Sequence, residues 1–170
     1  AEVPNSDGGL DWQLMTALWQ SFVKSPSEDT AQPLLDELGA DTDRIKMPED
    51  EVFRADLVEG MPLVMQAIEG GDPWALQLGF RLSKVSGVPH WYELNTMIAD
   101  AAATHPEVFL KELMELHANQ ATSENDCNFV GFMATLEWRT ELERRLDGLA
   151  GVEVPDLAPA REQCVALLVG

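Results

Sequence analysis

Three residues whose types could support covalent chemistry fall within eleven positions: His117, Asn119 and Cys127. A thiol near an imidazole and an amide is the equipment of acyl transfer: the thiolate attacks a carbonyl while the histidine moves the proton. No CxxC and no local signature of a cysteine enzyme surrounds Cys127. The chain has one other cysteine, Cys164, and an even pair permits a single disulfide of unambiguous connectivity. Such a bridge would tie the last helix to the middle of the chain and contribute about 2–4 kcal/mol. Two buried free thiols are the other structural reading. A disulfide and a cysteine-dependent hydrolase or transferase are competing uses of Cys127.

The rest of the sequence offers little catalytic equipment. There is no GxSxG, HExxH, phosphate-binding glycine loop or dinucleotide fingerprint. His90, His105 and His117 lack the spacing of helical metal ligands, so no metal site and no cofactor is expected. His105, before Pro106, fits a helix cap, and His117 fits a helix end where it eases the dipole. Asp41 and Asp43 resemble the start of a calcium loop, but the glycine and closing glutamate of that loop are missing. Gly70 and Gly71 follow no strand and are expected to stop a helix rather than cradle phosphate. Among the aromatics, Trp12, Trp19, Trp74 and Trp138 fall on apolar helical faces and are assigned to the core. Trp91 and Tyr92, beside His90 at a helix start, are left over. These three form the candidate contact surface, for a protein partner or, alternatively, for a small molecule.

Composition narrows the partners. The chain carries 30 acidic and 11 basic residues, a formal net charge of -19. That balance excludes the basic footprint nucleic acid requires and disfavours an anionic membrane surface. The charge is concentrated early, with 15 acids against 4 bases in residues 1–71. An acidic surface keeps a protein dispersed and steers basic partners towards it. No apolar run approaches the roughly 18 residues needed to span a bilayer, so membrane insertion is not expected. Residues 1–9, "AEVPNSDGG", are small, polar and turn-prone, and are expected to form a flexible segment before a single domain over residues 10–170. Together with the cysteine pair, such a start points to a periplasmic or extracellular protein, with the cytoplasm as the alternative.

The elements that must position these residues are helical throughout. Leu10 to Lys24 carries apolar residues over more than half a helical wheel, and is expected to be buried on most sides or to share a face with another chain. Ser25 to Glu28 has capping-box spacing with Pro26 inside it, and Pro33 is expected to interrupt the next helical stretch before Gly39 ends it. A helix starts near Pro48, breaks at Gly60–Met61–Pro62, and a second short one runs to Ile68. From Pro73, Gln77, Arg81 and Lys84 form one polar stripe, expected to face solvent. Gly79, mid-helix, implies the close approach of a neighbouring helix. Leu94, Met97, Ile98 and Ala101 mark the next apolar face. Phe109, Leu113 and Leu116 mark the one after, with Lys111, Glu112 and Glu115 opposite. Trp138, Leu142, Leu146 and Leu149 form a later stripe, with Arg139, Arg144 and Arg145 outside it. "CNFVGFM" is the one plausible strand.

Pro73, Pro89 and Pro106 are spaced by 16 and 17 residues, so one helix–turn–helix unit spans 33. Periods of this length mark stacked helical hairpins. Trp74, Leu78 and Gly79 miss the tetratricopeptide offsets. Residues 60–119 instead resemble a degenerate HEAT-like repeat, which implies a binding scaffold rather than an enzyme. The expected fold is thus an all-α, compact bundle of seven to eight helices with stacked antiparallel hairpins at its centre. The expected function is a non-catalytic protein-binding module for a basic protein, acting as an inhibitor, a neutraliser or an adaptor.

Overall fold

Asp11 starts the first helix by turning its carboxylate onto the backbone N–H groups of Gln13 and Leu14, each 3.1 Å away. These are two of the donors that a helix N-terminus leaves without partners. The computed structural model describes residues 10–47, 51–118, 126–130, 132 and 139–169, and among them every regular element is helical. Helix α1 (Trp12–Lys24) buries Met15, Trp19 and Phe22, while Leu14 is exposed and Leu18 and Val23 are half-buried. The broad apolar surface read from the sequence is therefore mostly satisfied within the chain.

Helix α2 (Glu28–Leu38) corrects two expectations. Its capping box is Ser27 with Thr30, not Ser25 with Glu28, because the Thr30 hydroxyl accepts from the Ser27 N–H at 3.1 Å and donates to the Ser25 carbonyl. Pro33 does not interrupt it. A proline there removes one backbone bond, and burial of Ala31, Leu34, Leu35 and Leu38 holds the helix together across the gap. Gly39 ends the helix at φ +72°, where a side chain would be strained.

Helix α3 (Glu51–Glu69) is continuous through Gly60 and Pro62, where two helices were expected. Gly60 acts as a contact rather than a stop. A Cβ at this position would lie 2.6 Å from the Trp19 ring, so the missing side chain lets α1 lie against α3. The Trp19 indole N–H then donates to the Asp56 carbonyl at 2.8 Å. The helix stops at Gly70 and Gly71 as expected. Gly71 has φ +83°, and the space of its absent side chain is taken by the His105 ring.

Helix α4 (Pro73–Ser83) is the centre of the bundle, packed on α2, α3, α5 and α6. Residues 75–80 are buried without interruption, so it has almost no solvent face. The expected exposed stripe is wrong at Gln77, which is buried, and at Arg81, which is half-buried with its head group bonded inside the protein. Gly79 behaves as expected: a Cβ there would meet Ile68 of α3 at 2.8 Å and Ile98 of the next helix at 3.5 Å.

Helices α5 (Trp91–Thr104) and α6 (Pro106–Ala118) follow, burying Leu94, Ile98 and Ala101 on the first and Phe109, Leu113 and Leu116 on the second. Glu112, expected on the outer face of α6, is buried as well. The described part of "CNFVGFM" is no strand: Asp126–Phe129 form a 3-10 turn. Among the described residues the nearest approach to a sheet is one parallel bridge, Lys46 with Ser86, which ties the connector after α2 to the end of α4.

Helix α7 (Arg139–Ala150) packs on α5, and its Arg145, expected outside, is 3% exposed. The guanidinium donates to the carbonyls of Val130 and Phe132 at 2.9 and 2.6 Å, closing the backbone beyond the 3-10 turn. Trp138 lies outside the described residues, as do residues 1–9. A 3-10 turn, Pro155–Leu157, leads into helix α8 (Ala158–Val169), which carries Cys164.

Candidate functional site

The first concavity lies between α3 and α5. From α3 it takes Pro62, Met65, Gln66 and Glu69, at the i, i+3, i+4, i+7 positions that share one helical face. From α5 it takes Tyr92, Glu93, Thr96 and Met97. The cleft has a volume of about 430 Å³ and is wide open to solvent. Pro62, Met65 and Met97 supply an apolar floor, and Glu69 and Glu93 supply two exposed carboxylates. None of the described lining residues is basic.

The three residues singled out from the sequence have separate roles here. Tyr92 lines the groove and is 49% exposed. Trp91 is 47% exposed, but its indole N–H is committed to the Ser83 carbonyl at 3.1 Å, so the ring is held against the end of α4. Both rings meet Phe132 edge-on, with centroids 5.4 and 5.7 Å apart, which fixes their orientation. His90 is the N-cap residue of α5 in the left-handed conformation, φ 57°, and its side chain makes no capping bond. Its position is that of a tight turn placing Trp91 and Tyr92, and it is not among the groove-lining residues described.

The second concavity lies between α6 and α8, is partly open to solvent and has a volume of about 270 Å³. Cys127, from the 3-10 turn, and Cys164, from α8, both line it, with their sulfurs at bonding distance, 1.97 Å, and their Cα atoms 5.2 Å apart. His117 lines the same pocket, so the fold does bring the histidine and Cys127 together. In that state Cys127 has no thiolate, which is the species acyl transfer requires. Asn119 lies outside the described residues.

A buried polar chain, invisible in the sequence, crosses the core from α2 to α6. The Arg81 guanidinium donates to the Leu35 carbonyl at 2.7 Å and to Gln77 Oε1 at 3.4 Å. Gln77 Nε2 donates to the Glu112 carbonyl at 2.6 Å and to its carboxylate at 3.1 Å. Burial pushes the Glu112 carboxyl above the ordinary range, partly offset by the bond from Gln77. Burial also lowers the Arg81 guanidinium, partly offset by the acidic side chains around it. The chain is largely buried and joins three helices, so it fixes their register rather than offering a reactive group.

On the α5–α7 side, Arg144 pairs with Asp100 and Glu141. The Arg144 hydrogen bond holds the Glu141 carboxyl below its usual range. Arg139 pairs with Glu143 at 3.5 Å, as the i, i+4 spacing predicts. Among the described residues no cluster of three or more His, Cys, Asp or Glu could hold a metal, and no helix is long and apolar enough to cross a membrane.

Of the groove, the sequence pointed to Tyr92 alone. Pro62, Met65 and Met97 were missed because their side was not known to lack a covering element. The sequence signal is the spacing of Val58, Pro62 and Met65 along one helical side, and the structure leaves Val58 exposed. No known protein family matches this chain, and neither the curated proteins nor the solved structures include a significant match.

Proposed function

We propose that this chain is a non-catalytic, acidic helical binding module whose α3–α5 groove receives a basic segment of a protein partner. The observation that carries the reading is the groove itself: an apolar floor, a half-exposed tyrosine and two carboxylates, with no basic residue among its described lining. A lysine or arginine side chain suits the chemistry of such a surface. Its aliphatic stem covers Met65 and Met97, its cationic head reaches Glu69 or Glu93, and the Tyr92 ring offers a face for cation–π contact. The net charge of -19 draws such a partner in from a distance.

The packing of consecutive helices around α4 supports reading residues 60–119 as a degenerate HEAT-like scaffold of the kind that carries binding grooves. The cysteine pair at bonding distance fits an oxidising compartment, and a periplasmic or extracellular setting belongs to the same proposal. In it the chain neutralises a basic enzyme or toxin, or holds it within a larger complex.

Affinity capture at low salt with mild crosslinking tests this. A basic protein should be retained and then released as ionic strength rises. The double charge reversal Glu69→Lys, Glu93→Lys should abolish retention while leaving the helical spectrum intact. Recovery of no basic partner, or equal recovery by the reversed variant, would sink the reading.

A further inference from the structure

The pocket between α6 and α8 belongs to neither the α3–α5 groove nor the buried polar chain, and it has the properties of a separate ligand site. Leu113 and Met114 of α6 face Pro159 and Ala160 of α8 across it, and the two cysteines complete the wall. His117 and Gln163 are the polar side chains among its described lining. The pocket has a volume of about 270 Å³, is partly open to solvent and is walled mainly by apolar side chains. An apolar ligand seated on that wall removes apolar surface from water, which favours binding.

We propose that this pocket binds a small, uncharged, ring-bearing molecule with one hydrogen-bonding group. The size comes from the volume, which lies just below the range for drug-sized ligands and is far too small for a protein segment with its side chains. Charge is excluded from both directions. Among the described lining residues an anion would find no lysine or arginine and a cation no carboxylate. A ring is favoured because Met114, Cys127 and Cys164 bring polarisable sulfur to the walls, and sulfur packs well against aromatic edges. His117 and Gln163 then select for a single donor or acceptor on that ring. The Cys127–Cys164 connection joins the wall contributed by α8 to the 3-10 turn, so the pocket is formed before a ligand arrives.

The test uses the oxidised chain and two fluorescent probes that share one ring system. N-phenyl-1-naphthylamine is uncharged, and 8-anilino-1-naphthalenesulfonate is its sulfonated relative. The uncharged probe should bind saturably at one site, at least tenfold more tightly than the sulfonate. Ala160→Phe, which fills the pocket, should weaken it at least tenfold. Methyl NMR on the unmodified chain supplies a readout that no variant can confound: the Met114 methyl should shift along the same saturation curve. Shifts at Met65 and Met97 instead would place the probe in the α3–α5 groove and overturn the proposal. So would non-saturable binding, or equal affinity for the two probes. Loss of this site leaves the reading of the acidic groove untouched, since the two share no residue.

Discussion

Replacing Gly148 with alanine tests a backbone-to-backbone approach between α7 and α5. A Cβ at position 148 of α7 would lie 2.7 Å from the Ala102 carbonyl oxygen and 2.8 Å from the Ala103 Cα, both backbone atoms of α5. Carbon atoms in favourable contact sit about 3.5–4.0 Å apart, so α7 must retreat by roughly 0.7–1.2 Å. Neither partner atom can rotate away, and the shift must be taken up by the whole interface, including the Arg144 pairing with Asp100. Overpacking costs about 1–3 kcal/mol, and a contact with two backbone atoms that cannot rotate away falls in the upper part of that range, about 2–3 kcal/mol. Alanine in a helix interior returns about 1 kcal/mol relative to glycine. The expected net loss is about 1–2 kcal/mol, which for a chain of this size lowers Tm by roughly 2–8 °C. Thermal and urea unfolding followed by far-UV circular dichroism would measure it. Gly70→Ala is the matched control, because a Cβ there meets nothing closer than 3.5 Å. If Gly148→Ala proves as stable as the parent chain, α7 is not seated on α5 through a glycine contact, and the geometry derived for that face fails.

Two further measurements probe the interior. Because the folded state holds the Glu112 carboxyl above its unfolded pKa, the fold binds the extra proton, and stability should fall as pH rises from about 4.5 through the elevated value. Glu112→Gln keeps an acceptor for Gln77 and removes the desolvated charge, so its urea midpoint should change less over that window and match or exceed the parent's at pH 7; parallel pH profiles would refute this. Reduction of the Cys127–Cys164 bridge, which spans 37 residues, should lower unfolding free energy by roughly 4 kcal/mol on the loop-entropy estimate. An unchanged urea midpoint after reduction, with free thiols verified by mass spectrometry, would show that the bridge adds nothing to the fold.

How much was legible beforehand depends on whether a feature is local. Gly71 and Pro73 mark the turn from α3 into α4 through backbone geometry alone, and both read correctly. Gly79 betrayed a close neighbour because a mid-helix glycine needs a reason. Gly60, Pro62 and Pro33 misled because the usual breakers were overridden by packing, with the Trp19 ring seated where a Gly60 side chain would be. Gln77, Arg81, Glu112 and Arg145 were assigned to solvent because such residues are seldom buried. Apart from the i, i+4 bonds of Arg81 to Gln77 and Arg145 to Glu141, their partners lie 13 to 46 residues away, outside any window of local sequence.

Helical character, strong acidity, the single way to pair two cysteines and the course of most apolar stripes are all legible in the residues themselves. Those are properties of period, composition and count, which need no knowledge of neighbours. Tertiary structure alone decided that α4 is enclosed on all sides, that a polar chain crosses the core, and that Tyr92 shares a groove with methionines from α3. It also decided that His117 meets the cysteine pair across an apolar pocket. Helical periodicity tells which side chains share a face, and only the packing of helices distant in sequence determines what that face meets.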